Sequence, residues 1–211
     1  MLTVITPAAS TALTTPDAVK ADLGAAWTRA NVLKPDGDDG WLEAAIARAS
    51  AAVCSFCRRS FAAETVRETV HLATLADVLP LTRWPLVSIA SVTEGGTLLS
   101  AGDTEADEGT GLLYRLTASG SRQFWRPARI VVEYRAGYVL PGEGGCTLPR
   151  DIEHAAILLV LEQWHGIERD PRLKAKAVEG VGSETYWIPD RAELPPAVVA
   201  LLAPHRQWAL G

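Results

Sequence analysis

No segment of the chain carries an excess of basic residues. Lys and Arg number 6 against 6 Asp and Glu in residues 1–61, 7 against 10 in residues 62–149, and 7 against 9 in residues 150–211. Binding driven by nucleic-acid phosphates requires clustered positive charge. The charge pattern therefore argues against a protein that holds nucleic acid through one strongly basic segment.

Cysteine is scarce, with three residues in a chain of 211. Three cysteines cannot all pair, and Cys54 and Cys57 stand three apart within a helical pattern, which suits small buried thiols better than a disulfide. A zinc site needs four ligands. Cys146 and the scattered histidines do not form a second ligand pair to match Cys54 and Cys57. We therefore expect reduced structural cysteines and a reducing compartment.

The sequence also lacks the marks of catalysis. No serine stands in a Gly-x-Ser-x-Gly elbow, and the glycine-rich stretches at 142–145 and 180–182 do not fit a phosphate-binding loop between a strand and a helix. Glu162 and His165 have the spacing of a di-iron ligand pair, but such a site needs a second pair, and the sequence contains no other copy. We predict no catalytic residue, no metal site and no cofactor.

The stretch from Leu148 to Glu168 predicts a helix whose middle, residues 155–161, is apolar on every side. Pro149 suits a first turn and Gly166 a C-terminal stop. At about 27 Å the helix is too short, and too polar at its ends, to span a bilayer. The N-terminal residues show no secretion or membrane signal either. Because a surface helix hides only one stripe, this helix must be covered by its own chain or by another copy.

Three further helices are predicted. The first is capped by Thr15 and runs through Leu23, and a long second helix occupies residues 41–59 with apolar residues on one face. The last begins at Pro195-Pro196 and extends towards Trp208, but Pro204 must break or kink it.

Between Ala62 and Tyr138 the pattern changes to short β-branched runs separated by Gly, Pro and Asp, which is typical of strands. We predict strands at 65–72, 86–93, 112–116 and 130–138, a turn at Gly95-Gly96, and an acidic surface loop at 101–111. Alternation in the third strand (Leu112, Tyr114, Leu116) and the fourth (Ile130, Val132, Tyr134) predicts one buried face and one wetter face for each. Residues 170–189 are polar and receive no element.

One cluster interleaves basic and aromatic side chains: Arg122, Trp125, Arg126 and Arg129. Such a pattern can bind nucleic acid. Alternatively, the cluster is the rim of a β-hairpin whose tryptophan packs against the protein. We favour this alternative because acidic residues lie close to the cluster on both sides.

Taken in order, the segments resemble the head-tail connector, or adaptor, proteins of tailed phages and phage-like gene transfer agents. The resemblance covers nearly the whole chain and rests on the order and spacing of short motifs. The matching segments are residues 15–20, 38–49, 57–61, 79–92, 130–138 with Tyr134-Arg135-Ala136-Gly137-Tyr138, 148–152 with Leu148-Pro149-Arg150-Asp151-Ile152, 194–198 and 204–206. The β region is larger than in the smallest members.

The resemblance implies an α+β fold in a single connector domain, residues 1–211. Its helical core is expected at 1–61 and 147–211, with antiparallel long helices and short N- and C-terminal helices, and a small antiparallel β region is inserted at 62–146. It also implies a structural protein of the virion that forms a ring, expected to be a dodecamer, beneath the portal protein. The ring extends the DNA channel and links the capsid to the neck or tail.

The expected partners are the portal protein, a neck, stopper or tail-completion protein, and further copies of the chain. The ring is expected to enclose DNA without sequence-specific binding and to contact no membrane. It is expected to assemble in the bacterial host cytoplasm. The alternative is a DNA-binding packaging accessory protein of a phage-like particle.

The C-terminal segment is the predicted portal contact. Its candidate residues are Leu202, His205, Arg206, Trp208 and Leu210. The segment is apolar, Pro204 interrupts it, and Arg and Trp are common anchors of interfaces; connector C-termini also embrace the portal. Alternatively, the segment only covers the helix at 150–165. The candidates for a ring or neck interface are Tyr186, Trp187, Ile188 and Trp164.

Overall fold

The computed structural model describes residues 1–24, 39–166, 175–178, 182–185 and 194–207. The chain divides into two compact units. The first unit comprises Met1–Thr11 and Ser60–Thr147, and the second comprises Ala12–Arg59 and Leu148–Gly211. Strands build the first unit, whereas helices dominate the described part of the second.

Nine strands form two antiparallel sheets in the first unit. They are β1 (Leu2–Thr6), β2 (Glu64–His71), β3 (Leu79–Pro80), β4 (Leu86–Glu94), β5 (Thr97–Leu98), β6 (Thr104–Asp107), β7 (Leu112–Leu116), β8 (Arg122–Gln123) and β9 (Arg129–Ala136). The five-stranded sheet has the order β1-β2-β9-β4-β5, and the second has β3-β7-β6 with β8 beside β7. A 3-10 turn, Ala101–Asp103, precedes β6.

Alternation along β9 fixes the two faces of the five-stranded sheet. Ile130, Val132 and Tyr134 are fully buried, whereas the residues between them are partly exposed. The period of two places every second side chain on the core face, so the prediction for this strand is confirmed. The core cluster of this unit consists of Val66, Leu79, Leu81, Leu86, Val92, Leu113, Trp125, Ile130, Val132, Tyr134 and Ala136.

A buried carboxylate is satisfied inside this unit. Glu68 accepts hydrogen bonds from the Tyr134 hydroxyl at 2.6 Å, from the Thr82 amide at 3.0 Å, and from the Thr82 hydroxyl. Burial, and then the bond to Glu68, raise the pKa of Tyr134. A fully bonded polar network of this kind fixes one arrangement of its neighbours, because any alternative would leave a buried charge without partners.

Four described helices belong to the second unit: α1 (Pro16–Leu23), α2 (Asp39–Cys57), α3 (Arg150–Gly166) and α4 (Pro196–Leu202). As predicted, the Thr15 hydroxyl caps α1 by accepting from the Ala18 amide at 3.2 Å. The helix α2 ends before Arg58, whose φ of 56° is left-handed and stops the helix. A 3-10 turn, Ala203–His205, follows α4 and contains Pro204, so the predicted break is confirmed.

The apolar middle of α3 is covered by its own chain. The helices α1, α2 and α4 pack against α3, and Ala155, Ala156 and Val160 are fully buried. The sequence allowed either the same chain or another copy to cover this helix, and the same chain does so. No described helix is long and apolar enough to cross a membrane.

The predicted fold class, a helical core with a small inserted β region, was wrong. In the described residues the strands account for about as much of the chain as the helices, and they form two larger antiparallel sheets and a separate two-stranded hairpin. Four of the missed strands have two to four residues, too few to show an alternating pattern. The predicted acidic loop contains one of them, β6.

Two more segments differ from prediction. The N-terminal residues, assigned to the helical core, form β1 and pair with β2. The stretch at 170–189, which received no element, contains an antiparallel hairpin of β10 (Ala175–Val178) and β11 (Gly182–Thr185).

Candidate functional site

The C-terminal segment is anchored to its own unit before it reaches the end of the described residues. Val198 and Leu202 of α4 are fully buried, and α4 packs against α2 and α3. After the 3-10 turn, the amide of Gln207 donates to the carbonyl oxygen of Cys57 at 2.9 Å. The path of the segment is therefore fixed as far as Gln207.

His205 joins this segment to the start of α3. Its Nε2 lies 2.5 Å from Oδ2 of Asp151, in the first turn of that helix. Both side chains are partly exposed, with relative exposures of 19% and 37%. The contact holds the segment across the N-terminus of α3 while leaving one edge of the pair open to solvent.

Arg206 is exposed and points across an aromatic ring. Its guanidinium carbon lies 5.3 Å from the centroid of the Phe56 ring. A cation at this distance from a ring is held by about 0.5–1 kcal/mol at an exposed site. The guanidinium is thus oriented in advance. Within the part of the chain that the structure describes it has no ion pair, so its donors can bind a carboxylate or carbonyl partner.

The structure brings together only part of the predicted portal contact. The side chain of Leu202 is fully buried and anchors the segment, whereas His205 and Arg206 lie at its surface. Trp208 and Leu210 lie outside the described residues.

Of the candidates for a ring or neck interface, one lies within the described residues and three lie outside them. Trp164 is half-buried on α3 and packs edge to face on Trp41, with ring centroids 5.5 Å apart. Tyr186, Trp187 and Ile188 lie outside the described residues.

The cysteines differ in exposure, since Cys57 is buried, Cys54 is half-buried and Cys146 is exposed. Burial, together with the neighbouring Cys54, raises the pKa of the Cys57 thiol to about 11. Cys57 Sγ lies 3.9 Å from the carbonyl oxygen of Leu202 and packs under the C-terminal segment. Its role there is structural.

We therefore expect Cys146 to be alkylated by iodoacetamide at pH 8 while Cys57 is protected. With a pKa of about 11, the reactive thiolate of Cys57 would be about 0.1% of the total at that pH. Mass spectrometry of peptides after timed labelling measures both rates. In urea both thiols should react alike, and equal rates in the folded protein would contradict this account.

The basic and aromatic cluster at 122–129 forms a hairpin rim. Trp125 is fully buried and its Nε1 donates to the carbonyl oxygen of Leu113 at 3.1 Å. Arg122 lies over the Tyr114 ring, 3.6 Å from its centroid, and pairs with Glu105. Because the tryptophan ring is enclosed, it is not placed to stack on a base.

Metal-ligating side chains do not gather in the part of the chain that the structure describes. No group of three or more His, Cys, Asp or Glu side chains there could hold a metal ion. Glu162 is half-buried and His165 is exposed near the end of α3.

Sequence reasoning did not identify one further surface, the open face of the five-stranded sheet. The pairing of β2 with β9 sets Arg67 opposite Glu133, Thr65 opposite Arg135, and His71 opposite Arg129. These side chains stand on the face opposite the core, and the three arginines are exposed. Alternation along each strand is a visible signal in the sequence, but the register that joins β2 to β9 is not.

Comparison with known proteins bears on the identity of the chain. The sequence model of a family described as Head completion protein matches residues 25–208. A comparison with curated protein sequences finds no match.

Chains of several solved structures share the fold. One, from the neck of an empty gene transfer agent (GTA) particle computed with C6 symmetry, has a TM-score of 0.57 at 17% identity, covering 99% of this chain and 96% of that chain. Another, from the neck of a native GTA particle computed with C12 symmetry, has a TM-score of 0.55 at 19% identity with the same coverage. A chain from the virion of a native GTA particle gives 0.55 at 18%, also with 99% and 96% covered.

At such identities the structural likeness establishes the fold, and the family match establishes kinship. Together they confirm the resemblance to phage head-tail connector and completion proteins that the sequence motifs indicated. Since the family match covers residues 25–208, the chain belongs to the head completion protein family.

Proposed function

We propose that this chain is a structural adaptor at the head-tail junction of a phage-like particle. In this role it forms a ring under the portal protein, extends the DNA channel and links the capsid to the neck or tail. It contributes surfaces rather than catalysis, and its partners are the portal, a neck, stopper or tail-completion protein, and further copies of itself.

The observation that carries this proposal is an end-to-end likeness to neck chains. The match to the chain from the C6 neck structure covers 99% of this chain and 96% of that one. The two chains therefore resemble each other over nearly all of the residues compared. The family name, Head completion protein, points to the same stage of particle assembly. The C6 and C12 symmetries of those necks support a ring, because a head-to-tail contact repeated around an axis closes on itself.

The charge of the chain is compatible with DNA passage. With 20 basic and 25 acidic residues, the chain has a formal net charge of -5. Each phosphate that a protein neutralises adds salt-dependent affinity, so a strongly basic lumen would hold the genome in place. A ring of mildly acidic subunits encloses DNA without gripping it.

For the portal contact we propose the C-terminal segment from His205 onward, including Arg206, Trp208 and Leu210. Support comes from the exposure of Arg206, its orientation over Phe56, and the tether that His205 makes to Asp151. Leu202 serves this contact indirectly, since its buried side chain anchors the segment.

For the ring or neck interface we propose Tyr186, Trp187 and Ile188, an apolar cluster within a polar stretch of sequence. The exposed remainder of the half-buried Trp164 is a further candidate. Aromatic side chains are enriched at interfaces because they bury a large area with few rotatable bonds.

Deletion of the gene tests the proposed function. Cells that lack this chain are expected to package DNA into heads that carry no tails, and the yield of tailed particles should recover when the wild-type chain is supplied from a plasmid. Electron microscopy and an assay of nuclease-resistant DNA measure both steps. Tailed particles at the normal yield without the chain would contradict the proposal.

A further inference from the structure

The open face of the five-stranded sheet differs in chemistry from an ordinary protein-protein interface. Besides the arginines it carries mainly short hydroxyl side chains: Thr3, Thr6, Thr65, Thr69, Ser88, Ser91 and Thr93. Two apolar residues share its paired positions: Val131, which is partly exposed, and Leu98 on the edge strand β5, which pairs opposite Thr93 and is 68% exposed. Interface cores are enriched in aromatic residues and methionine, and none of the paired positions on this face has either.

The positive charge of this face comes from residues that are far apart in the sequence. The antiparallel register of β2 and β9 sets Arg67, Arg129 and Arg135 on one surface. Of the glutamates paired in these two strands, Glu133 shares that surface, whereas Glu64 and Glu68 stand on the core side. Three arginines against one glutamate make a net charge of +2 there, not counting His71, although the whole chain has -5.

The arginines are not equally engaged. Arg67 pairs with Glu133, with Nη2 2.5 Å from Oε1. Arg129 and Arg135 are exposed, and in the described part of the chain neither has an ion pair. They stand six residues apart on β9, so about 20 Å of strand separates them. Two free guanidinium groups therefore flank a row of small polar side chains.

We infer that this face, centred on Arg129 and Arg135, is the surface that the chain turns towards duplex DNA in the particle. Phosphate is the ligand that this chemistry recognises, because guanidinium groups pair with phosphate oxygens and serine and threonine hydroxyls donate to them. The short hydroxyl side chains of β1, β2 and β4 let a duplex approach this part of the sheet closely. The inference rests on the proposed function, which places the chain around the DNA channel.

Each copy offers two unpaired arginines to phosphate, and phosphate contacts carry no information on base sequence. Contact of this kind is independent of sequence, and proteins that bind phosphates alone can slide along a duplex.

Photochemical cross-linking in assembled particles tests the inference. A photoreactive benzoylphenylalanine placed at Ser88, which is exposed and pairs opposite Arg135, is expected to cross-link to DNA when DNA-filled particles are irradiated. The same probe at Leu75, which is 61% exposed and lies off this sheet, is the matched control and is expected to give at most a tenth of that yield.

A second variant tests the role of the charges. Arg67→Gln, Arg129→Gln and Arg135→Gln together should lower the cross-link yield at Ser88 several-fold. Arg48→Gln, Arg126→Gln and Arg150→Gln, which remove the same charge elsewhere, should leave it unchanged. Circular dichroism of the purified chains checks that both triple variants fold.

Three results would overturn the inference. They are cross-links from Ser88 to a protein instead of DNA, equal yields at Ser88 and Leu75, or an absence of cross-links in particles that contain the chain. Each of these would leave the adaptor function standing as long as the probed chain is present in tailed particles. Absence of the chain from tailed particles would contradict the adaptor function itself.

Discussion

A chain that lacks residues 208–211 and carries Arg206→Ala is expected to fold but to fail to join portal-containing heads. The truncation removes Trp208 and Leu210 and keeps Gln207, whose amide bonds to Cys57 within the same unit. An anchoring Arg or Trp typically contributes about 2 kcal/mol or more to an interface, so each loss should weaken attachment by roughly 30-fold. Co-sedimentation of the variant with purified heads measures the effect.

The stability of this variant shows whether the C-terminal segment docks on the portal or only covers α3. Loss of the Arg206 contact with Phe56 should cost about 0.5–1 kcal/mol, which lowers Tm by at most about 4 °C for a chain of this size. Arg126→Ala, which removes an exposed arginine in the other unit, is the control and should attach normally. Normal attachment of the truncated variant would contradict the portal contact, and a large loss of Tm would favour the covering role.

Gly137→Ala is expected to be among the most destabilising single substitutions in the sheet unit. A Cβ at this position would lie 2.3 Å from the carbonyl oxygen of Ala62, a backbone atom, and the φ of Gly137 is 118°. Overpacking and backbone strain each cost about 1–3 kcal/mol, so a loss of roughly 3–5 kcal/mol is expected. Urea denaturation followed by circular dichroism measures it.

Gly120→Ala is the matched control, because Gly120 also has a positive φ, of 80°, but no atom lies within 4 Å of its added Cβ. Its cost should be confined to the strain of the left-handed conformation, about 1–2 kcal/mol. If Gly137→Ala were no more costly than Gly120→Ala, the steric argument would be wrong. The close approach of the Ala62 backbone explains why a glycine stands in the Tyr134-Arg135-Ala136-Gly137-Tyr138 motif.

Local signals in the sequence predicted the elements they govern. The Thr15 cap, the run of small and apolar residues in α3, the break at Pro204 and the β-branched runs of β2, β4 and β9 all lie where the sequence placed them, within a few residues. Each depends on neighbours a few positions away, which is why one sequence suffices to predict it.

Features that depend on distant pairing were missed. The strand β1 has five residues and is fixed by its pairing with β2, as in Leu2 opposite Glu68. In β7 the alternation of Leu112, Tyr114 and Leu116 was visible, yet Leu113, which lies between them, is the residue that is fully buried. Contacts from β3, β6 and β8 decide which face of β7 is covered, and those strands are too short to be recognised.

In the candidate site, too, local features could be predicted and features that depend on distant contacts could not. The C-terminal segment was predicted from its apolar residues and from Pro204, but burial of Leu202 and the contact of His205 with Asp151 depend on packing against α2 and α3. The open sheet face could not be predicted, because β2 and β9 are separated by more than fifty residues whose register no local pattern specifies.

The central claim is that the chain occupies the junction between head and tail. Electron microscopy of purified particles in which every copy carries a compact label on an exposed turn, such as Gly144-Gly145, tests it most directly. The account predicts a ring of label density between the portal vertex and the tail, repeated with the symmetry of the neck. Label density over the capsid shell, along the tail or absent from the particle would contradict it.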